Sequence, residues 1–388
     1  MSGCRYLEGV IYNLFNVINL KLSKPLKRTL IELITCLLED KKAHFCKLGG
    51  HLAVNGRSEN ACVQRVRRFL SNKRIFPSMM IIPLIYLMRP FLENLPEIVL
   101  SMDRTEWKKR GKWINILSVA LCYKGRALPL YWVVFGRRGN SALEHWKKLL
   151  TPVIEGLRSV IWLSDTLIHV VADREFASPK FAEWLKDKYE VDSTLRIKSS
   201  MYLCDENKPE VKVASLIKNL KKGSRDLLYD QRVTRDCNFK MNVLLLWKRG
   251  HDEPLVVATT SKKPSVSDVT YGKRFGIECM HKDWKTNAFD LEKTRVTDPK
   301  RIETLLIPIA FAYLFCMLEG ERKELSGEDI RQPPKGKTRM TGLFLLGLRN
   351  IARNLTREKI KHCKKFISTL LSPVIKQWKL QSSLIFNV

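Results

Sequence analysis

Short apolar segments that begin near residue 97 constrain the fold of this 388-residue chain more than any other feature. Residues 97–103 form one such segment, and residues 112–135 have the pattern of two strands around a turn at 123–127. Runs this short are typical of buried strands. Helical and strand-like segments then alternate over residues 142–261. A strand meander followed by this alternation predicts a layered α/β domain.

The charge of the chain indicates a polyanionic partner. Lys and Arg number 69 against 39 Asp and Glu, which gives a formal net charge of +30 and favours nucleic acid. An anionic membrane surface is the rival partner, but the sequence shows no basic amphipathic anchor of the required kind. We also expect no membrane span, because the longest apolar run, residues 305–318, is too short to cross a bilayer. The N-terminus lacks a signal-peptide pattern. Ten cysteines without a C-x-x-C pair favour reduced thiols in a cytoplasmic protein.

The N-terminal part of the chain, residues 1–95, has helical periodicity. Two segments flank a turn at residues 55–58. The second segment has an apolar face at helical spacing, which consists of Cys62, Val66, Phe69 and Leu70. Arg65 and Arg68 would suit DNA contact if this pair of segments is a helix–turn–helix. An ordinary helical hairpin has the same pattern, so both interpretations stay open.

We therefore expect three regions in the chain. A helical DNA-binding domain covers residues 1–95, and an α/β catalytic domain covers residues 96–322. Residues from about 200 to 252 interrupt the alternation of helix and strand, and we interpret them as a β-rich insertion. Residues 323–388 form a basic C-terminal region with 14 Lys and Arg against 4 Asp and Glu.

Three acids are candidates for catalysis because of their positions. Asp103 and Asp173 each end an apolar strand, where the active sites of α/β folds gather, and Glu278 lies in a predicted helix. Carboxylate oxygens are the ligands that Mg²⁺ prefers, and two such ions can promote phosphodiester cleavage. Each acid taken singly could instead be a turn residue or part of a surface ion pair. The neighbouring acids that we assign to structure are Glu106, Asp165 and Glu175.

The predicted helix around Glu278 has a polar face. Four residues at intervals of 3, 4 and 7 form this face: Tyr271, Arg274, Glu278 and Lys285. At about 100° per residue they fall within about one sixth of the helix circumference, and Lys282 joins them. Gly272 and Gly276 lie in the same turns, although each costs a helix about 1 kcal/mol relative to Ala. We expect such a helix to be shaped around something that it contacts.

This spacing, Tyr-x2-Arg-x3-Glu-x6-Lys, resembles the Y-R-E-K signature of the insertion-sequence-four family of DDE transposases. The segment SMDRTEW at 101–107 resembles the first-aspartate motif of that family, and VVADREF at 170–176 resembles the second. All three occur in the family's order over about residues 97–320, with an insertion before the Glu. The resemblance implies an RNase H-like fold. Its mixed five-stranded sheet would have helices on both sides, with the first and fourth strands as neighbours.

The resemblance also implies roles for individual residues. Asp103, Asp173 and Glu278 would form the catalytic triad and bind two Mg²⁺ ions, for which Mn²⁺ can substitute. The residues that would hold phosphates of the transposon end are Tyr271, Arg274 and Lys285, with Lys282 beside them. Family members stack a splayed base on a tryptophan of the insertion, and Trp247 is the candidate. A strand aromatic packed on the core is the equal alternative for Trp247.

The implied activity is cut-and-paste transposition, in which the protein cleaves DNA at the terminal inverted repeats and joins the freed end to target DNA. The expected partners are both kinds of DNA and a second copy of the chain in a homodimer. The expected location is the cytoplasm, in association with the nucleoid. Two alternatives stay open: an inactive or repurposed DNA-binding relative, and an RNase H-like nuclease or resolvase without strand transfer.

Overall fold

The computed structural model describes most of the chain. The described residues are 3–18, 20–52, 58–93, 95–205, 208–327 and 342–356. The predicted turn at 55–58 lies mostly outside these ranges, and so does most of the basic C-terminal region.

Within those ranges the chain forms thirteen α-helices. In chain order they are α1 Gly3–Val17, α2 Lys24–Asp40, α3 Phe45–Leu52, α4 Glu59–Leu70, α5 Ile81–Leu87, α6 Arg89–Leu92, α7 Leu143–Arg158, α8 Pro179–Tyr189, α9 Val213–Asn219, α10 Ser267–Gly272, α11 Phe275–Lys282, α12 Pro299–Ser326 and α13 Leu343–Thr356. The strands of the described residues are β1 Glu97–Lys109, β2 Lys112–Tyr123, β3 Arg126–Phe135, β4 Leu167–Ala172, β5 Asp192–Arg196, β6 Tyr202–Asp205, β7 Lys208–Lys212, β8 Arg225–Val233, β9 Lys240–Leu246 and β10 Leu255–Thr259.

These strands form one mixed sheet in the order β3-β2-β1-β4-β5-β10-β9-β8-β6-β7. Strand β4 runs parallel to β1 and to β5, and the other neighbouring strands are antiparallel. The first and fourth strands are therefore neighbours, as the sequence analysis predicted. Met102 lies opposite Ala172 in the register, so Asp103 and Asp173 follow aligned residues.

The number of strands corrects the sequence analysis, which expected five. Strands β3, β2, β1, β4 and β5 account for those five, and the described residues add five more to the same sheet. Strand β10 pairs along β5, and β9 pairs along β10, so the insertion continues the sheet. The physical reason is that an open edge at β5 would leave backbone hydrogen-bonding groups unpaired, and β10 satisfies them.

Helices cover both faces of the sheet, as expected. The indole N–H of Trp132 on β3 donates to the carbonyl of Glu303 on α12 at 3.0 Å. Phe135, three residues later on the same strand, contacts the ring of His145 on α7. Because side chains alternate between the faces of a strand, α7 and α12 lie on opposite sides of the sheet.

Helix α12 is held at both ends by its own sequence. The side chain of Asp298 accepts a hydrogen bond from the Arg301 N–H at 2.9 Å, and Pro299 occupies the first helical position. Gly327 ends the helix in the left-handed conformation, with φ of 65°. The helix thus continues four residues past the boundary predicted at 322, and the boundaries at 95 and 322 stay predictions.

The apolar run 305–318 lies in the core. Among the described helices, α12 has the length and composition to cross a membrane, but its most apolar window is entirely buried within the protein. The N-terminal helices pack on this core, since the Phe15 and Phe311 rings lie 5.0 Å apart. The Ala43 N–H also donates to the carbonyl of Phe289 at 2.7 Å. The run is thus a core helix, as predicted.

Candidate active site

The three candidate acids come from three elements that meet at one edge of the sheet. Asp103 lies within β1, Asp173 follows β4 directly, and Glu278 lies on α11. Helix α11 packs against the side of the sheet that Asp103 faces, since His281 of α11 contacts Ser118, the cross-strand partner of Asp103. The sheet register aligns the two aspartates, and the packing of α11 brings Glu278 to them.

Arg274 lies between two of these acids. Its Nη1 atom is 3.4 Å from the Oδ2 atom of Asp103, and its Nη2 atom forms an ion pair with Glu278. The arginine side chain is only 11% exposed. A buried guanidinium requires anionic partners, and here it has one carboxylate from the strand and one from its own helix.

Asp173 has a separate set of partners. The Tyr271 hydroxyl donates to its Oδ1 atom at 3.0 Å, and the Arg196 guanidinium lies 3.9 Å from the same atom. Burial alone would raise the pKa of Asp173, but the Arg174 backbone N–H, Arg274, Tyr271 and Arg196 outweigh it and lower that pKa. Burial raises the pKa of Tyr271 to about 12, so its hydroxyl stays a hydrogen-bond donor.

The pKa of Asp103 is shifted in the opposite direction. Burial raises its pKa to about 6, and the nearby carboxylates of Glu278 and Asp173 raise it further against the lowering effect of Arg274 and the Arg104 backbone N–H. Asp103 is therefore close enough to both other acids for electrostatic repulsion. Such a site favours the arrival of positive charge.

A cavity of about 270 Å³ opens beside Asp103 and Glu278. Its lining residues are Asp103, Arg104, Thr105, Glu278, His281, Lys282, Lys285, Thr286 and Glu292. Lys282 is exposed at its rim, and Lys285 lies 2.9 Å from Glu292. The cavity is thus lined by both carboxylates and lysines, which is a suitable arrangement for a phosphate approaching a carboxylate site.

The polar face does not lie on one continuous α-helix, which corrects the sequence analysis. Tyr271 is on α10, Glu278 is on α11, and Lys285 is in a π-helical turn, Asp283–Asn287. The Ala288 N–H donates to the Asp283 carbonyl, the five-residue spacing of such a turn. Lys282 and Lys285 still line the cavity with Glu278, whereas Tyr271 bonds Asp173 outside it.

One of the two helix glycines has a structural explanation. A Cβ atom at Gly276 would overlap the backbone carbonyl of Arg126 at the start of β3. Glycine therefore lets α11 pack directly on the sheet, which sets the position of Glu278. This agrees with the expectation that the helix is shaped around a contact. Gly272 differs, because a Cβ there would meet nothing within 4 Å.

Comparison with known proteins identifies the family at this point. The sequence profile described as "Transposase DDE domain" matches residues 94–315, which contain all three acids. The chain belongs to this DDE transposase family. No curated protein matches the sequence significantly. Family membership supports a transposase that binds DNA, and the matched segment includes both strand-end aspartates, α11 and the insertion.

The carboxylates of this DDE domain have the chemistry to bind a divalent ion. Among the described residues, no group of three or more His, Cys, Asp and Glu side chains is arranged to hold a metal, and Arg274 lies between Asp103 and Glu278. The donor set is chemically suitable for Mg²⁺, because all three candidate ligands are carboxylates, and burial together with the neighbouring Glu278 and Asp173 carboxylates raises the pKa of Asp103. The carboxylates therefore fit such an ion by residue type.

The other residues predicted to contact DNA, Trp247, Arg65 and Arg68, do not line the cavity. Trp247 follows β9 at the same sheet edge as Asp173, three strands away across the sheet. It packs partly on the core, and the Lys222 ammonium lies 5.6 Å from its ring centroid. Arg65 of α4 is engaged inside the protein, 2.7 Å from Glu32, whereas Arg68 is exposed.

Two residues that shape the site, His281 and Arg196, were not predicted from the sequence. His281 is buried beside Asp103 and contacts the Ser118 hydroxyl at 2.7 Å, and burial lowers its pKa to about 3. Its spacing of three residues after Glu278 is the signal that places it on the same helix face. No spacing pattern in the sequence indicated that Arg196 would lie near Asp173. Of the acids assigned to structure, Glu175 accepts from Arg104 at 2.8 Å, which agrees with that assignment.

Proposed function

We propose that this protein is a cut-and-paste transposase of the insertion-sequence-four type, which cleaves DNA at transposon ends and joins the freed end to target DNA. The observation that carries the proposal is the convergence of Asp103, Asp173 and Glu278 at one sheet edge, with Lys282 and Lys285 around the adjoining cavity. We infer an RNase H-like core from the parallel pairing of the first and fourth strands.

In this proposal Asp103, Asp173 and Glu278 would hold two Mg²⁺ ions, which activate the attacking hydroxyl and stabilise the leaving oxygen when bound. The chain's own residues prepare the site. Arg274 neutralises Asp103 and Glu278, and Tyr271 fixes the orientation of Asp173. Burial of Asp103 lowers the local dielectric, which strengthens each of these interactions.

The DNA would lie along the lysines that line the cavity. Lys282 and Lys285 are placed to contact phosphate oxygens, and Tyr271 and Arg274 would do so after exchanging their present carboxylate partners. Trp247 at the same edge would stack a splayed base. We further propose that two copies pair the transposon ends, as strand transfer requires, and that the protein acts on the nucleoid in the cytoplasm.

The test is cleavage of a labelled duplex that carries the element's own terminal repeat, with Mg²⁺ present. We expect nicking at the repeat boundary by the native chain and none by Asp103→Asn. Asp165→Asn is the matched control, because it removes an exposed acid away from the cavity and should cleave like the native chain. Glu278→Gln should lose cleavage but keep end binding, since it leaves the basic surface unchanged.

The outcomes separate the alternative functions. Tight, metal-independent binding of the repeat without cleavage by the native chain would favour a DNA-binding relative that has lost catalysis. Cleavage without joining to a second duplex would favour a nuclease or resolvase. Cleavage that survives in Asp103→Asn would contradict the proposed site.

A further inference from the structure

The first two strands extend beyond the rest of the sheet as a basic two-stranded ribbon, whose base packs on the core through Trp107 and Ile114. Strand β1 pairs with β4 only as far as Met102, and β2 pairs with β3 only from Asn115 onward. Between Trp107 and Ile114 the two strands therefore pair only with each other. We name residues 107–114 the distal ribbon. It begins four residues after Asp103, so it rises from the edge of the sheet that carries the candidate active site.

The distal ribbon carries four cations and no acid. The cations are Lys108, Lys109, Arg110 and Lys112. Within the described residues, none of the four forms an ion pair with a carboxylate, in contrast to the many paired arginines around the active site. Four positive charges without nearby acids repel one another. A polyanion that binds there relieves this repulsion and gains affinity from each charge.

The ribbon is also rigid enough to present these charges. Arg110 and Gly111 both have positive φ, 49° and 77°, which is the tight hairpin turn that matches strand twist. Arg138 lies over the Trp113 ring at 5.2 Å, and Lys285 lies over the Trp107 ring at 5.5 Å. Both tryptophans thus anchor the ribbon, and Lys108 also lies over the Trp113 ring at 6.0 Å, while Arg110 and Lys112 are exposed.

The shape of the ribbon selects the kind of polyanion. A two-stranded ribbon fits the major groove of duplex DNA, with its side chains toward the flanking phosphates. From Asp103 to Lys109 the strand spans about 20 Å, or about six base pairs of duplex. The tip would thus contact DNA within about one helical turn of the phosphodiester at the carboxylates.

We propose that the distal ribbon binds target DNA, an inference that rests on the proposed transposase function. Its flexible cations make phosphate contacts, which position a duplex without reading its sequence. Target DNA is the partner that must be held without sequence specificity. In this arrangement the target duplex lies along the ribbon beyond Lys285, and the transposon end extends from Lys285 toward Tyr271 and Trp247.

The test is a triple variant of the full chain, Lys109→Gln with Arg110→Asn and Lys112→Gln. Asparagine is used at position 110 because it tolerates positive φ. The matched control removes three exposed lysines of α7 and α8, as Lys148→Gln with Lys180→Gln and Lys188→Gln. The first measurement is the affinity for an unrelated duplex over a salt series. The slope of log affinity against log salt is negative, and each lost phosphate contact lowers its magnitude by about 0.9, so we expect the slope of the ribbon variant to be about 2.7 less negative.

The second measurement compares end cleavage with joining of pre-cleaved ends to an unrelated duplex. We expect the ribbon variant to lose at least about tenfold in joining and much less in end cleavage. An unchanged salt slope, an equal change in the lysine control, or a loss restricted to the duplex with the terminal repeat would overturn the proposal. The salt slope tests the ribbon even if the native chain cleaves nothing, which would refute the transposase proposal separately.

Discussion

The ends of β1 and β4 lie side by side in the sheet, yet the aspartates at these two ends have opposite properties. Burial raises the pKa of Asp103 to about 6. The pKa of Asp173 is lowered, because hydrogen bonds and cations outweigh its burial. The sheet register gives the two acids equivalent positions, so the difference arises from what surrounds each strand end.

The surroundings differ because the chain continues differently after each acid. Strand β1 runs six residues beyond Asp103, which keeps that carboxyl on the sheet beneath α11. Strand β4 ends at Ala172, and the backbone turns so that the Arg174 N–H faces Asp173. Two acids in matched positions can thus differ in charge state. The predictions below test whether that difference affects catalysis, stability or both.

The largest expected effect is on cleavage, where the two acids should behave alike. Asp173→Asn should reduce single-turnover cleavage by about a thousandfold, as much as Asp103→Asn, because each removes one anionic ligand worth several kcal/mol of transition-state stabilisation. The measurement is single-turnover nicking of the terminal-repeat duplex in Mg²⁺. A mild loss at only one of the two positions would show that the acids are not equivalent ligands.

The next largest effect is on stability, because substitutions of the two acids should change the free energy of unfolding in opposite directions. The folded pKa of Asp103 is about 6 against 3.8 unfolded, so its ionised form destabilises the fold above pH 6. Asp103→Asn should therefore raise the free energy of unfolding by on the order of 3 kcal/mol above pH 6, and the gain should vanish as pH falls to about 4.

Asp173→Asn should do the reverse. Its lowered folded pKa means that the carboxylate stabilises the fold above its unfolded pKa, and this contribution is lost as pH falls through the folded value. We expect a smaller decrease in unfolding free energy at neutral pH, because Asp173 is about one third exposed and solvent screens it. Urea unfolding over a pH series measures both variants, and changes of the same sign would refute the comparison.

The smallest expected effect concerns the helix that covers Asp103. Gly276→Ala should lower the free energy of unfolding by about 1–3 kcal/mol, because the added Cβ pushes α11 away from Arg126. The same shift should expose Asp103 and lower its pKa toward the ordinary value. Gly272→Ala is the control, with open space around it, and should stabilise the protein by up to about 1 kcal/mol. Urea unfolding and carboxyl titration by NMR measure both changes, and equal effects at the two glycines would contradict the packing argument.

The sequence alone determined the local features of this protein. The short apolar segments predicted the strands of the α/β domain, and the acids that end two of them predicted Asp103 and Asp173 at the rim of the sheet, whereas their placement side by side was implied by the family resemblance. The spacing around Glu278 predicted that Lys282 and Lys285 would accompany it, and they line the same cavity. These features depend on residues close together in the chain, so periodicity and spacing are enough to find them.

The tertiary structure decided which distant groups meet. It joined the insertion to the sheet through β10, placed Arg274 between Asp103 and Glu278, and gave Arg65 an internal partner in Glu32. Strand pairing, desolvation and ion pairing depend on segments that are tens to hundreds of residues apart. No local pattern encodes those distances, and for that reason the opposite charge behaviour of Asp103 and Asp173 became visible only in the folded chain.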